Sequence, residues 1–326
     1  MKILGIGNAL VDILVQLDND DLLQKLKLPK GSMQLVQADN IPSISSEIEN
    51  RAVTMISGGS AANTIHGLAS LGMKCGYLGK VGNDDLGRFY EKDFNDLGVS
   101  THLFDSETVT GRAHTFITPD SERTFATFLG AAVELTADNL KAEIFDNYEL
   151  LHIEGYLVQN TTLIETALKI AKNSGMKTSL DLASYNVVEA SLNFLRNIIP
   201  KYVDIVFANA EEAKAYTSKD PSDALGEIAD QCDIAVVKMG KEGSLIQSGN
   251  QKFEIGTIVV NSIDTTGAGD QYAAGFLFGL LKNLSLEKCG KLGALLAGRV
   301  IENYGARIPL KLWPEIHKKV DDIVVN

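Results

Sequence analysis

The sequence predicts an α/β fold, with a mainly parallel sheet covered by helices on both faces and a small β-sheet projecting from it. Three observations carry that prediction. Short β-branched runs alternate with amphipathic stretches along most of the chain, as βαβ units do. Two segments break this rhythm, one irregular and partly alternating, the other strand-like with little helical periodicity. The third is size and composition: 326 residues, 45% hydrophobic and 22% charged. That suits one large domain or two modest ones and excludes a disordered, collagen-like or coiled-coil chain.

Taken in order, residues 2–6 form the first core strand, and residues 11–55 are the first irregular segment. Amphipathic spacing predicts helices over 61–71 and 86–97. Residues 101–128 are the second irregular segment, with a turn signal at Pro119-Asp120. Core strands are expected at 150–154, 203–208 and 234–238, with helices at 162–174 and 225–231. Later helices are expected from Gln271, over 286–303, and over 313–325 at the surface. The irregular segments do not fit simply between core strands. They are expected to pair with one another as a lid on a single domain spanning 1–326, the plainer alternative being two surface hairpins.

Thirty Lys plus Arg against forty-two Asp plus Glu leave a formal charge of −12. A field of that sign repels nucleic-acid phosphates and anionic membranes, so neither is expected as a partner. Any polyanionic ligand must be held by local amides, a few basic side chains or a metal ion. Cys75, Cys232 and Cys289 form no Cys-x-x-Cys pair, which argues against a disulfide framework or thiolate zinc site and for a reducing compartment. No signal-peptide pattern opens the chain, and its longest apolar run, 273–281, is too short for a bilayer. A cytoplasmic location is expected.

The chemistry concentrates in Asp264-Thr265-Thr266-Gly267-Ala268-Gly269-Asp270. This Gly-rich turn feeds a helix whose apolar residues Ala273, Phe276, Leu277 and Leu280 recur at helical spacing. Free amides and the positive end of the helix dipole make such a turn an anion site. Asp270 at a helix start is a common cap. Beside a phosphate, however, a carboxylate adds repulsion unless it has a task, and the available task is to accept the proton of an attacking hydroxyl. The dipole is expected to keep it ionised and only weakly basic.

A second turn, Ser57-Gly58-Gly59-Ser60-Ala61-Ala62-Asn63, would let a polyhydroxylated ligand lie against backbone, with Asn63 offering both donor and acceptor. Gly5-Ile6-Gly7-Asn8-Ala9-Leu10 fails the dinucleotide fingerprint at Leu10, and neither a P-loop nor a kinase His-Arg-Asp loop is present.

These residues resemble the signatures of the PfkB (ribokinase-like) carbohydrate and nucleoside kinases over essentially the full length. Residues 57–63 look like the family's first signature, 264–270 like its second, and Asn209-Ala210-Glu211-Glu212 like its N-x-x-E motif. The resemblance implies a three-layer α/β/α ribokinase-like core with a β lid, and phosphoryl transfer from ATP with Mg²⁺. Asp270 would be the base, and the amides of Gly267, Ala268 and Gly269 would form the anion hole, with Thr265 beside the phosphates. Asp12 would grip a vicinal diol, as charge-assisted hydrogen bonds can, with Asn8, Gly59 and Asn63 around the same ring. Asn209 and Glu212 would order Mg²⁺ through water, although Asn209 could simply cap a helix. The nucleotide would lie between the turn at Gly240 and the 286–303 helix, where relatives often have Asn in place of Ala294. Potassium dependence is common in relatives, and the resemblance implies backbone around Asp264 and Thr266 as the ligands, with the requirement itself left open.

Within the family the chain looks most like the adenosine kinase branch, from its 7–12 opening, the spacing to 33–35, and 123–132. Met33, Leu35, Leu129 and Tyr156 would then line a slot for a purine, or else merely pack the lid. Arg123 would reach the phosphates on closure, or else be a solvated hairpin charge. The acceptor is therefore expected to be adenosine, with ribose, fructose or a similar furanose as the alternative. A catalytically silent nucleoside- or sugar-binding regulator would be expected to lose Asp270 or its glycines. Relatives are monomers or homodimers, and both states stay open.

Overall fold

The computed structural model describes residues 2–120 and 122–325. The chain begins with β1 (Lys2–Ile6), β2 (Leu10–Gln16), α1 (Asp21–Lys25), β3 (Met33–Leu35), α2 (Ile41–Ile48) and β4 (Val53–Gly58). It continues through α3 (Ser60–Ser70), β5 (Lys74–Gly82), α4 (Asp85–Asp96), β6 (Ser100–Ser106), β7 (Gly111–Ile117) and β8 (Arg123–Phe128). Next come α5 (Ala142–Phe145), β9 (Leu150–Glu154), α6 (Thr161–Asn173), β10 (Lys177–Asp181), α7 (Tyr185–Tyr202), β11 (Ile205–Asn209), α8 (Ala210–Thr217) and α9 (Pro221–Ala229). The last elements are β12 (Ile234–Lys238), β13 (Ser244–Ser248), β14 (Gln251–Ile255), α10 (Ala268–Leu281), α11 (Leu286–Val300) and α12 (Trp313–Val325).

Nine strands form the core sheet in the order β14-β13-β12-β11-β10-β9-β1-β5-β6. It is parallel from β12 through β6, and β13 and β14 add antiparallel to one edge. Parallel strands buried on both faces read as continuous apolar runs, and Leu150–Glu154 is buried at every position. Side chains alternate across the sheet. Ile205 and Phe207 join one cluster with residues of α3, α4, α10, α11 and α12. Val206 and Ala208 join another with α6, α7, α8 and α9. The result is three layers.

The second sheet runs β3-β8-β7-β2-β4, so the two irregular segments do pair with one another. Along β2, Val11, Ile13 and Val15 are buried while Leu10, Asp12 and Leu14 alternate to the opposite face. That second face looks across at the carboxyl ends of the core strands.

Three expectations need correction. Residues 100–106 are strand-like but belong to the core sheet, where β6 pairs with β5; only residues from Gly111 onward enter the second sheet. Strand character is local, whereas the choice of sheet depends on a partner distant in sequence. The helix expected over 225–231 spans Pro221–Ala229 instead, starting where Pro occupies its first turn. The 286–303 helix stops at Val300. Among the described residues no helix is long and apolar enough to cross a membrane.

Candidate active site

The inner face of the second sheet and the carboxyl ends of the core strands enclose a cavity of about 1230 Å³. Single-ligand pockets usually span about 300–1,000 Å³, so this one has room for two small molecules. Every residue singled out from the sequence lines it. Asn8, Asp12, Gly59 and Asn63 stand at one end, with Met33, Leu35, Arg123, Leu129 and Tyr156 beside them. Thr265, Gly267, Ala268, Gly269, Asp270, Asn209, Glu212, Gly240 and Ala294 continue along the core.

The Gly-rich turn ends at Gly267, whose φ of 74° is left-handed. A Cβ there would stand 2.6 Å from Ala306 Cα, so both backbone conformation and space demand glycine. Helix α10 starts at the next residue. The Ala268 amide donates to Thr265 O at 3.2 Å, which removes one of the three amides expected to face a phosphate. Among the described residues the Gly267 and Gly269 amides find no acceptor.

Asp270 accepts from Ser60 Oγ at 2.7 Å and from Asn63 Nδ2 at 2.9 Å. Burial pushes its carboxyl up to about 6, with Asp181 adding to the rise against the Asn63 and Ser60 hydrogen bonds and Lys238. The expected weak base is thus corrected: desolvation outweighs the helix dipole and the donors, and raises basicity. Asn63 Oδ1 is buried and, among the described residues, has no partner, leaving an acceptor beside the Asp270 carboxylate.

At the other end, Gly59 has φ 103°, and a Cβ would meet Asn8 O at 2.2 Å. Asn8 is fixed by Glu154, whose Oε1 accepts from Asn8 N at 2.8 Å and Asn8 Nδ2 at 2.6 Å. Glu154 Oε2 accepts from Ala61 N at 3.0 Å, tying the first turn of α3 to the same carboxylate. Burial lifts Glu154 to about 7 against these bonds. Asp12 also rises to about 7, through burial and the Asp270 charge against Arg307. Arg307 is buried behind the second Gly turn. It donates to Ser57 Oγ at 2.5 Å, to Ser57 O, and to Asp93 Oδ2 at 2.6 Å.

On the second sheet, Arg123 donates to Thr266 Oγ1 and ion-pairs with Asp264. Asp264 in turn accepts from Thr266 N at 2.6 Å and Gly305 N at 2.8 Å. Arg123 is therefore no solvated hairpin charge; it clasps the loop that leads into the Gly-rich turn. Met33 and Leu35 are 57% and 64% exposed, which removes the reading that they merely pack the lid.

At the core end, Asn209 and Glu212 form a reciprocal cap. Asn209 Oδ1 accepts from Glu212 N at 2.8 Å, while Asn209 N and Nδ2 donate to the Glu212 carboxylate at 2.7 and 2.6 Å. The capping alternative is thus realised, and Glu212, pushed up to about 7 by burial and then Asp181, still lines the cavity. Among the described residues no group of three or more His, Cys, Asp or Glu is gathered to hold a metal. The Glu212 carboxylate on the cavity wall would suit a Mg²⁺ that keeps most of its waters. Ala294, Ala297, Gly298 and Ile258 make the cavity wall beyond Gly240 apolar.

Sequence reasoning missed Glu154, Asp181, Lys238 and Arg307. Glu154 and Lys238 share a signal, each being a charged residue that closes an apolar core strand at the sheet edge where ligands collect; Asp181 closes the mostly polar Lys177–Asp181 strand, which gives no such signal. Arg307 has no such signal, because its partners are more than 200 residues away.

The family model of the pfkB carbohydrate kinases matches residues 32–313. Among solved structures, an adenosine kinase from Sinorhizobium meliloti is 37% identical, with 98% of each chain covered and a TM-score of 0.86. An uncharacterized sugar kinase from Archaeoglobus fulgidus is 32% identical over 247 residues, 74% of this chain and 96% of that protein. A nucleoside kinase from Methanocaldococcus jannaschii is 29% identical over 299 residues, 88% of this chain and 93% of that protein.

Proposed function

This chain belongs to the pfkB family of carbohydrate kinases, and from that premise we propose that it transfers the γ-phosphoryl group of ATP to the 5′-hydroxyl of adenosine, giving AMP. The observation that carries the acceptor is the apolar inner face of the second sheet. Met33 and Leu35, each more than half exposed, line that face, across the sheet from the polar end built around Asp12. A purine would cover such a wall, whereas a bare sugar would leave its hydroxyls facing it.

In this reading Asp12 accepts hydrogen bonds from the ribose diol while Asn8, held by Glu154, closes on the same ring. Asp270 takes the proton of the attacking hydroxyl; its raised affinity for protons suits a general base working near neutrality. The Gly267 and Gly269 amides offset charge on the moving phosphoryl oxygens. Mg²⁺, brought with the nucleotide and held through water by Asn209 and Glu212, would neutralise the β- and γ-phosphates. Arg123, clasping the turn through Thr266 and Asp264, would hold the second sheet over the phosphates.

A furanose kinase is the second reading, favoured by the sugar-kinase relative. One panel of nucleosides and sugars in an ADP-release assay decides. Turnover with adenosine well above that with ribose or fructose is the expected result. Robust furanose turnover with none on adenosine would move the acceptor class, and binding of adenosine with no phosphorylation of anything would point to a silent regulator.

A further inference from the structure

Charge around the cavity is lopsided. Asp12, Glu154, Asp181, Glu212, Asp264 and Asp270 line it against three cations, Arg123, Lys238 and Lys241. Arg123 is committed to Asp264, and Lys241 stands exposed on its turn. Lys238 differs from both. It closes β12 with its side chain only 14% exposed and Nζ 2.7 Å from Asp181 Oδ2.

The ammonium also lies over the anion turn, since a Cβ placed on Gly269 would stand 3.0 Å from it. An ammonium has three donors. Among the described residues Lys238 gives one of them, to Asp181, so two remain on the side of Gly269. Burying an ammonium is costly even when it is paired, and an apolar side chain ending this strand would avoid that cost.

Resting on the kinase reading above, we propose that Lys238 is a further catalytic residue whose ammonium contacts an oxygen of the transferring phosphoryl group, beside the Gly269 amide. In the step it serves, the acceptor O–H gives its proton to Asp270 and its oxygen bonds to the γ-phosphorus. The bond from that phosphorus to the β–γ bridging oxygen breaks, and ADP leaves with the electron pair. Lys238 keeps its proton throughout. It offsets negative charge that a six-carboxylate cavity would otherwise repel.

The test uses the full chain with Lys238→Met, Lys238→Arg, and the double variant Lys238→Met/Asp181→Asn, which leaves no unpaired buried carboxylate if the single variant fails to fold. Calorimetry with Mg·ATP and with Mg·ADP is run beside turnover. A terminal-phosphate contact predicts that Lys238→Met or the double variant binds Mg·ATP about tenfold or more weakly, holds Mg·ADP within about threefold, and loses about a hundredfold in turnover. Lys238→Arg is expected to recover part of both. Equal losses for the two nucleotides, or no loss of either with turnover retained, would overturn the proposal. Should the native chain phosphorylate no acceptor, the kinase reading falls, while a Lys238-dependent preference for Mg·ATP over Mg·ADP would still support the phosphate contact.

Discussion

The side-chain amide of Asn63 and the carboxylate of Asp270 meet at 2.9 Å across 207 residues of sequence. One belongs to the first turn of α3, the other to the first turn of α10, so the bond joins the two Gly-rich turns at the carboxylate proposed as base. Ser60 makes the second link at 2.7 Å. The cavity ends proposed to hold acceptor and phosphate are thereby held in one register.

Replacing Asp270 by Asn removes the proposed base and keeps the shape. Turnover is expected to fall by about two orders of magnitude or more, with nucleotide and acceptor affinities near those of the native chain. Steady-state kinetics with calorimetry checks this, and unchanged turnover would reject the assignment.

The same variant makes a stability prediction. Asp270 binds its proton more tightly when folded, at about 6, than at its ordinary 3.8. Between those values the unfolded chain ionises first, so the native protein loses stability as pH rises through that window. Asn is spared that loss. The melting temperature of the variant minus that of the native chain should therefore rise from pH 4 to pH 6 and level off above. A flat difference would show that the carboxyl is not held up by burial.

Activity should show the reverse dependence. Asp12 at about 7 and Asp270 at about 6 are both raised, so the ionised pair is lost as pH falls. The kcat/KM for the acceptor is expected to drop about tenfold per pH unit just below 7 and more steeply below 6, where both carboxyls take up protons. A profile flat down to pH 5 would contradict the roles given to both residues.

Asp12→Ala should weaken acceptor binding by about tenfold to a hundredfold, the range of a lost charge-assisted hydrogen bond, and leave Mg·ATP within about twofold. Titrating each ligand separately is the check. Equal losses for both would argue against a grip on the diol.

Gly267→Ala confronts a φ of 74° and the Ala306 backbone at 2.6 Å. Strain of that kind costs about 1–3 kcal/mol before the clash is counted. A lower melting temperature together with weakened Mg·ATP binding is expected; a variant indistinguishable from the native chain would show that the turn is not rigid.

What the sequence determined by itself was local and periodic. Apolar runs of strand length marked β1, β9 and β12, and the glycines at 58, 59, 267 and 269 marked the two turns, because backbone approach and left-handed φ leave few substitutes. Those signals were enough to place Asn63 and Asp270 at candidate ligand-binding positions, whereas Asp12 was reached through the family resemblance. The tertiary structure alone decided which sheet residues 100–106 would join, that Asn209 and Glu212 would cap one another, and that Arg123 would clasp Asp264. It also brought Glu154, Lys238 and Arg307 to the cavity and its walls, and burial there moved Asp270 to about 6. Partner choice and desolvation depend on residues distant along the chain, so they appear only once the layers have closed.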